Sequence, residues 1–209
     1  MKRILSILIL TAMLLCLLAG CGKNDPADLP GTWYAQMDIS ENVNVLLEAM
    51  LGTDMYTVKD MTITMELTLK NDGMYLLEAN SRSVSVAFGN MMLQIEETLT
   101  SVLESMIADE ESLLSVEEYL NMSGTTMEQT MDELAFSLED AGLVEEIVYS
   151  TTSQSSWFAD ESKLTFGATE FSYKLKGDKL TISGGKGDDP VLLALPSSLE
   201  FSQTDPNAE

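Results

Sequence analysis

Hydrophobic and polar residues alternate along the first third of the chain in the way that strands require. Between positions 61 and 69, five apolar residues are separated by three threonines and one glutamate, which is the period of two expected of a strand with one buried face. Asn71-Asp72-Gly73 then predicts a turn into a returning strand at 74–79, because glycine adopts a positive φ at little cost. An earlier strand is predicted at 31–37, and a short helix at 41–51.

The period changes to three and four residues from about position 85. Apolar residues at 88, 91, 95, 99, 102 and 106 predict an amphipathic helix. Its start has an alternative, since Val84, Val86 and Phe88 also alternate as a continuing strand would. Hydroxyl-x-x-Glu patterns at 115–118 and 125–128 predict capping boxes that open helices at 116–121 and 126–140, and Gly142 predicts the end of the second helix.

Strand patterns return after position 145. Candidate strands lie at 153–159, 163–166, 170–175 and 179–183, with two further segments at 191–195 and 198–203. Short strands with tight turns predict an antiparallel meander closed as a barrel or folded as a sandwich. We therefore expect a mainly β fold with an α insertion (α+β) at about 81–148. The inserted helices either cap the open end of a barrel or pack on its outer wall.

The N-terminal segment has the features of a secretory signal. Lys2 and Arg3 precede an apolar run at 4–19, which is shorter than the roughly 20 residues that span a membrane. Leu18-Ala19-Gly20-Cys21 resembles the bacterial lipobox, and the resemblance implies that Cys21 is acylated and becomes the first residue. We expect a signal peptide at 1–20, a lipidated cysteine and tether at 21–28, and a single domain at 29–209 that is anchored to the cell membrane outside the cytoplasm.

A second resemblance concerns the start of the first strand. Gly31-Thr32-Trp33 resembles the Gly-x-Trp entry of lipocalin and calycin barrels, and residues 171–182 are similar to hairpins of bacterial lipocalin-like lipoproteins. The resemblance implies a lipocalin-like barrel whose structural entry is formed by Gly31 and Trp33, with Trp33 closing one end. The chain departs from that family by its helical insertion, and by lacking an Arg or Lys near the end of the last predicted strand.

Charge and composition exclude several classes of function. The formal net charge is −23, and it becomes −25 once Lys2 and Arg3 are removed with the signal, so the protein repels nucleic-acid phosphates. The chain has no histidine, and hence neither a Ser-His-Asp triad nor a His-based metal site. Asp188 and Asp189 offer weak calcium binding as a minor alternative. We expect no catalytic residue, no cofactor and no resident metal.

Two functions agree with these observations. The first is a membrane-anchored, non-catalytic binding module for a small apolar molecule or a peptide. The second is a structural or interaction protein of the cell envelope whose barrel is filled by its own side chains, with an unknown protein partner. A continuous internal cavity favours the first function, whereas an exposed apolar patch on the helices favours the second.

Overall fold

Eight antiparallel strands close into a barrel in the computed structural model, which describes residues 24–109 and 114–207. Each strand pairs with the next along the chain, and β8 returns to β1. The strands are β1 (Gly31–Asp38), β2 (Thr62–Leu69), β3 (Met74–Ala79), β4 (Ser153–Ala159), β5 (Lys163–Phe166), β6 (Thr169–Lys176), β7 (Lys179–Lys186) and β8 (Ser198–Ser202). The predicted antiparallel meander is therefore confirmed as a closed barrel.

Helices occupy three of the connections between strands. They are α1 (Ser40–Leu51), α2 (Ser81–Asp109), α3 (Val116–Met122), α4 (Met127–Asp140), α5 (Leu143–Ser150) and α6 (Pro190–Leu193). About 43% of the described residues are helical and 30% lie in strands, so helices contribute more of the fold than the expectation of a mainly β protein allowed. Among the described residues, no helix is both long and apolar enough to cross a membrane.

The two ends of the barrel differ, because successive antiparallel strands alternate in direction and every second connection lies at the same end. One end, which we call the turn end, carries the short turns at 70–73, 160–162 and 177–178. The other, the helical end, carries α1, the α2–α5 insertion and α6, together with the two-residue turn at 167–168. All six helices therefore connect strands at the helical end.

The helices share one hydrophobic core with the barrel. Val43 and Leu47 of α1, Met91 and Ile95 of α2, and Leu143 of α5 are all fully buried in the same cluster as the inward-facing strand residues. Burying these apolar faces against the barrel supplies most of the stability of amphipathic helices. These helices therefore extend the hydrophobic core of the barrel at its helical end.

The N-terminal segment is attached to the turn end. The Asn24 Nδ2 donates to the carbonyl oxygens of Glu161 and Tyr173, at 3.0 Å each, and the Asn24 Oδ1 accepts from the Leu175 amide at 2.8 Å. A 3-10 turn at Pro26–Asp28 follows and leads into β1. Residues 24–28, which the sequence assigned to the tether, are thus held against the barrel.

The segment after β8 reinforces the junction between the last strand and the first. β8 pairs with β1 at one position, Tyr34 with Ser202. Beyond it, the Gln203 amide donates to Asp178 O at the turn end, at 3.1 Å. The Asn207 Nδ2 then donates to Thr64 Oγ1 at 3.0 Å, close to the helical end. The C-terminal segment therefore runs along the outside of the barrel and links the sparsely paired β8 to β2.

Two helix starts differ from prediction by their capping residues. α2 begins at Ser81, so the alternative of a continuing strand through 84–88 is wrong. The Asn80 side chain accepts from the Ser83 amide at 3.2 Å, which satisfies one of the free donors at the start of α2. For α4 the capping box forms one residue later than predicted, between Thr126 and Gln129. The capping box between Ser115 and Glu118 is confirmed.

Two short helices replace other predictions in the second half of the chain. Residues 191–195 are not a strand, because Asp189 caps α6 and Pro190 occupies its first turn, where a missing amide hydrogen costs nothing. Gly142 ends α4 with a φ of 79°, as predicted, but it also precedes the helix α5 (Leu143–Ser150), which was not predicted because strand patterns were expected to return after position 145. The helical insertion therefore extends to Ser150 rather than to about 148.

Candidate functional site

The lumen of the barrel is filled by its own side chains. The inward-facing residues that are at most 9% exposed are Trp33, Ala35, Met37, Ile63, Met65, Leu67, Leu69, Tyr75, Leu77, Ala79, Ser153, Leu164, Phe166, Thr169, Phe171, Tyr173, Leu180, Ile182, Leu199 and Phe201. Aromatic rings meet across the interior, with ring centroids 4.6 Å apart for Tyr75 and Phe166 and 5.9 Å apart for Phe166 and Phe171. These contacts make the lumen a packed core.

A chain of buried polar groups lies at the helical end of this core. The Ser153 Oγ donates to a carboxylate oxygen of Asp189 at 2.7 Å. The Tyr75 hydroxyl lies 2.6 Å from the same Ser153 Oγ and donates to it, because the serine proton is already committed to the carboxylate. Burial raises the pKa of Tyr75, and the Asp189 charge raises that pKa further.

This polar chain holds a connection in place. The other Asp189 oxygen accepts from the amides of Val191 and Leu192, at 2.9 and 3.2 Å. The carboxylate therefore ties the start of α6 to β4 through Ser153. Both carboxylate oxygens of Asp189 accept hydrogen bonds, so this residue acts as a structural cap. Asp189 is therefore not available to bind calcium together with the adjacent Asp188. The described residues contain no group of three or more acidic or cysteine side chains placed to hold a metal ion.

Two open, largely apolar clefts flank α1. On one side of this helix a cleft of about 230 Å³ lies against α5, and on the other a cleft of about 470 Å³ lies against the segment at 54–59. Val45 lines both clefts and is 62% exposed. We define the α1 surface as Val45, Leu46 and Tyr56 with the carboxylates of Glu41, Glu48, Asp54 and Glu146.

Two side-chain amides fix the segment beside α1. The Asn44 side chain pairs with both backbone groups of Val58, accepting from its amide at 2.8 Å and donating to its carbonyl at 3.0 Å. The Gln94 side chain of α2 pairs with Lys59 in the same way, at 2.9 and 3.0 Å. In each pairing a side-chain amide bonds both the N–H and the C=O of one residue, as a neighbouring strand would. These hydrogen bonds fix the shape of the α1 surface before any binding partner is present.

The α1 surface is predominantly acidic. Its four carboxylates are balanced locally by the ammonium of Lys59 alone among the residues lining the two clefts. Burial raises the pKa of the Tyr56 hydroxyl, so this residue stays neutral and contributes an aromatic face to the surface. Apolar side chains inside a ring of negative charge are suited to a cationic ligand with an apolar face.

The residues singled out from the sequence lie away from this surface. Cys21 is outside the described residues. Gly31 begins β1 with a φ of 146°, a conformation that other residues adopt only with strain. Trp33 is fully buried, and its Nε1 donates to Leu29 O at 2.8 Å, so it lies near the turn end. That Trp33 closes this end remains a prediction.

The sequence analysis did not find the α1 surface. It predicted the helix at 41–51. Whether Val45 is exposed, however, depends on which face of this helix packs against the barrel, and the sequence does not show that. The amide pairs of Asn44 and Gln94 join residues 14 and 35 positions apart, and no local pattern signals them.

Comparison of the chain with models of protein families, with curated proteins and with solved structures found no match.

Proposed function

We propose that this protein is a membrane-tethered, non-catalytic interaction protein of the cell envelope. In this proposal the barrel is a scaffold, and the α1 surface binds a cationic, partly apolar segment of another protein. The observation that carries the proposal is the contrast between a filled lumen and an open apolar surface on the helices. A filled lumen leaves no room for a ligand inside the barrel, so binding is directed to the outside.

The fold supports a lipocalin-like scaffold. Eight antiparallel strands in a closed meander agree with the resemblance carried by Gly31-Thr32-Trp33. The 3-10 turn at Pro26–Asp28 leads into this motif, and the burial of Trp33 agrees with the proposed role of this residue in closing the turn end. The helical end departs from such a scaffold, because the four helices of the α2–α5 insertion connect β3 to β4 there. We therefore place the protein near lipocalins in architecture and assign its function to the added helices.

The lipid anchor is proposed from the N-terminal sequence. A charged start, an apolar run and Leu18-Ala19-Gly20-Cys21 together support acylation of Cys21. Two acyl chains or their equivalent are needed for stable anchoring, because one chain binds a membrane only reversibly. Diacylglycerol on Cys21 supplies two chains. Mass spectrometry of protein extracted from membranes tests this step, and an unmodified Cys21 contradicts it.

Charge complementarity selects the partner. The helices α1–α5 carry fifteen acidic residues and one basic residue, Arg82. An anionic or neutral partner gains nothing from this field, whereas a cationic one is attracted before contact. The exposed side chain of Val45 then supplies apolar area that a partner covers on binding.

A pair of peptide probes tests the proposal. We expect an amphipathic helical peptide of leucine and lysine to bind the purified protein, and a matched peptide of leucine and glutamate not to bind. Val45→Ser should weaken binding by about fivefold, because about 1 kcal/mol of apolar burial is lost. Val86→Ser is the control, since Val86 is 59% exposed on α2 and lies outside the α1 surface.

Three results would contradict the proposal. The first is equal binding of both peptides, and the second is an equal effect of the two valine substitutions. The third is a small molecule that remains bound in native mass spectrometry of the wild-type protein and is lost from Leu67→Phe, which fills the lumen further. That last result would return the function to a ligand inside the barrel.

A further inference from the structure

We infer that the turn end of the barrel lies against the membrane surface and that the helical end, with the α1 surface, points away from it. This inference rests on the proposed lipid anchor at Cys21. It adds an orientation that the anchor alone does not supply, because a lipidated protein on a long tether rotates freely above its membrane. The position of Asn24 and the distribution of charge carry the argument.

The attachment of Asn24 removes most of the tether. Its side chain makes three hydrogen bonds with the turn end, one to the turn at 160–162 and two to β6. Between Cys21 and Asn24 there are three residue steps, which span at most about 11 Å. The seven-residue tether expected from the sequence would reach roughly twice as far. The lipid therefore has to enter the membrane close beside the turn end.

Charge favours the same orientation. Five of the seven lysines within the described residues lie at or near the turn end, namely Lys70, Lys163, Lys174, Lys176 and Lys179. They oppose six carboxylates of the same end, namely Asp25, Asp28, Asp72, Asp160, Glu161 and Asp178, so this end carries only about one net negative charge. The helices α1–α5 are strongly acidic by comparison. An anionic lipid surface repels the helical end and tolerates the turn end.

The orientation places the α1 surface beyond the barrel. Eight-residue strands rise about 3.3 Å per residue, and at a tilt of about 40° they give a barrel about 20 Å tall. The α1 surface lies at the far end of that height. A partner therefore reaches it from the space outside the membrane and without contact with lipid headgroups.

The two tryptophans of the chain report this orientation directly. Trp33 lies near the start of β1, and the Trp157 Nε1 donates to Lys70 O in a turn of the turn end, at 3.0 Å. Both indoles are therefore at the end inferred to face the membrane. We would reconstitute the full-length lipidated protein into vesicles that contain dansyl-labelled lipid, and measure energy transfer from tryptophan to dansyl.

We expect strong transfer in the wild-type protein. A flexible Gly/Ser linker of about 20 residues inserted after Lys23 should reduce the transfer at least about twofold, because its typical span is about 25 Å. A second donor position gives the matched control. Phe136 is 69% exposed on α4 at the helical end, so adding Phe136→Trp to a Trp157→Phe background should not restore the transfer that Trp157→Phe removes.

The outcomes separate the inference from the anchor on which it rests. Weak transfer that the linker leaves unchanged, or restoration by Phe136→Trp, overturns the orientation while the protein still floats with vesicles. Failure of the wild-type protein to float, like that expected of Cys21→Ser, overturns the anchor and the inference with it. Strong transfer that falls with the linker supports both.

Discussion

Replacing one lumen residue tests whether the barrel is a packed core. Leu67 is 1% exposed and lies in the middle of β2, where it pairs with Trp33 of β1 and Leu77 of β3. Leu67→Ala removes three carbon atoms between two large neighbours that strand pairing holds apart. The neighbours can collapse only partly, so the loss includes a cavity cost as well as the lost transfer free energy.

We expect Leu67→Ala to lower the free energy of unfolding by about 3 kcal/mol, within the range of about 2–5 kcal/mol for buried leucines. Urea denaturation measures this, and the dependence on urea concentration should stay unchanged. Leu93→Ala is the matched control, because Leu93 is 59% exposed on α2 and should lose no more than about 0.5 kcal/mol. A loss below about 1 kcal/mol for Leu67→Ala would refute the packed lumen.

The same variant has a second measurable property. A cavity lined by leucine, isoleucine and phenylalanine stays dry and binds benzene. Benzene should therefore raise the Tm of Leu67→Ala through binding to the folded state. The wild-type Tm should not respond, because the lumen side chains of the native barrel already bury one another. A wild-type response equal to that of the variant would show an internal cavity in the native barrel.

Three further predictions concern the outer surface, the α1 segment and the turn end. Glu66 lies opposite Glu78 on neighbouring strands, and burial first, then the charges of Glu78 and a nearby aspartate, raise the pKa of Glu66 above its ordinary 4.5. Because ionisation is then disfavoured in the folded state, stability falls as pH rises through that raised pKa. Glu66→Gln should accordingly gain about 0.2–1 kcal/mol at pH 7, and lose the gain below pH 4.5 when unfolding is followed across pH. Asn44→Ala removes both hydrogen bonds to Val58, so limited trypsin digestion should cut the adjacent segment faster, whereas an unchanged rate would mean that the segment is held by other contacts. Trp33→Phe should cost about 1–3 kcal/mol in chemical denaturation, since it leaves a buried carbonyl without its donor, and a neutral effect would contradict that hydrogen bond.

Sequence patterns were sufficient for the antiparallel meander and most helices, but they left a barrel and a sandwich as alternatives. Strands β2 and β3 can be predicted from local sequence, because alternating apolar residues and the glycine turn between them are sufficient to define both. The helix α5 was not predicted, because Val144, Ile147 and Val148 give its eight residues a composition that also suits strands. α6 depends on Asp189 as its cap, and that residue is positioned by the distant Ser153.

The candidate site depends on information that a single sequence does not carry. A filled lumen follows from the summed volumes of side chains on eight strands, and alternation alone is the same for a filled and an empty barrel. The shape of the α1 surface follows from side chains that pair with backbone groups far along the chain. The proposed lipid anchor differs from the candidate site in this respect, because the signal for it lies wholly within one short segment of sequence.

The way in which β1 links the N-terminal segment to α1 has a mechanical consequence. β1 runs from the turn end to the helical end, and it pairs with β2 at eight positions. A force that pulls α1 away from the N-terminal segment is carried by the backbone of β1, because this strand joins the two ends directly. A strand is already extended at about 3.3 Å per residue, so it has little length to give. The barrel therefore transmits tension between its two ends with little change in length, and the ladder to β2 keeps β1 in place.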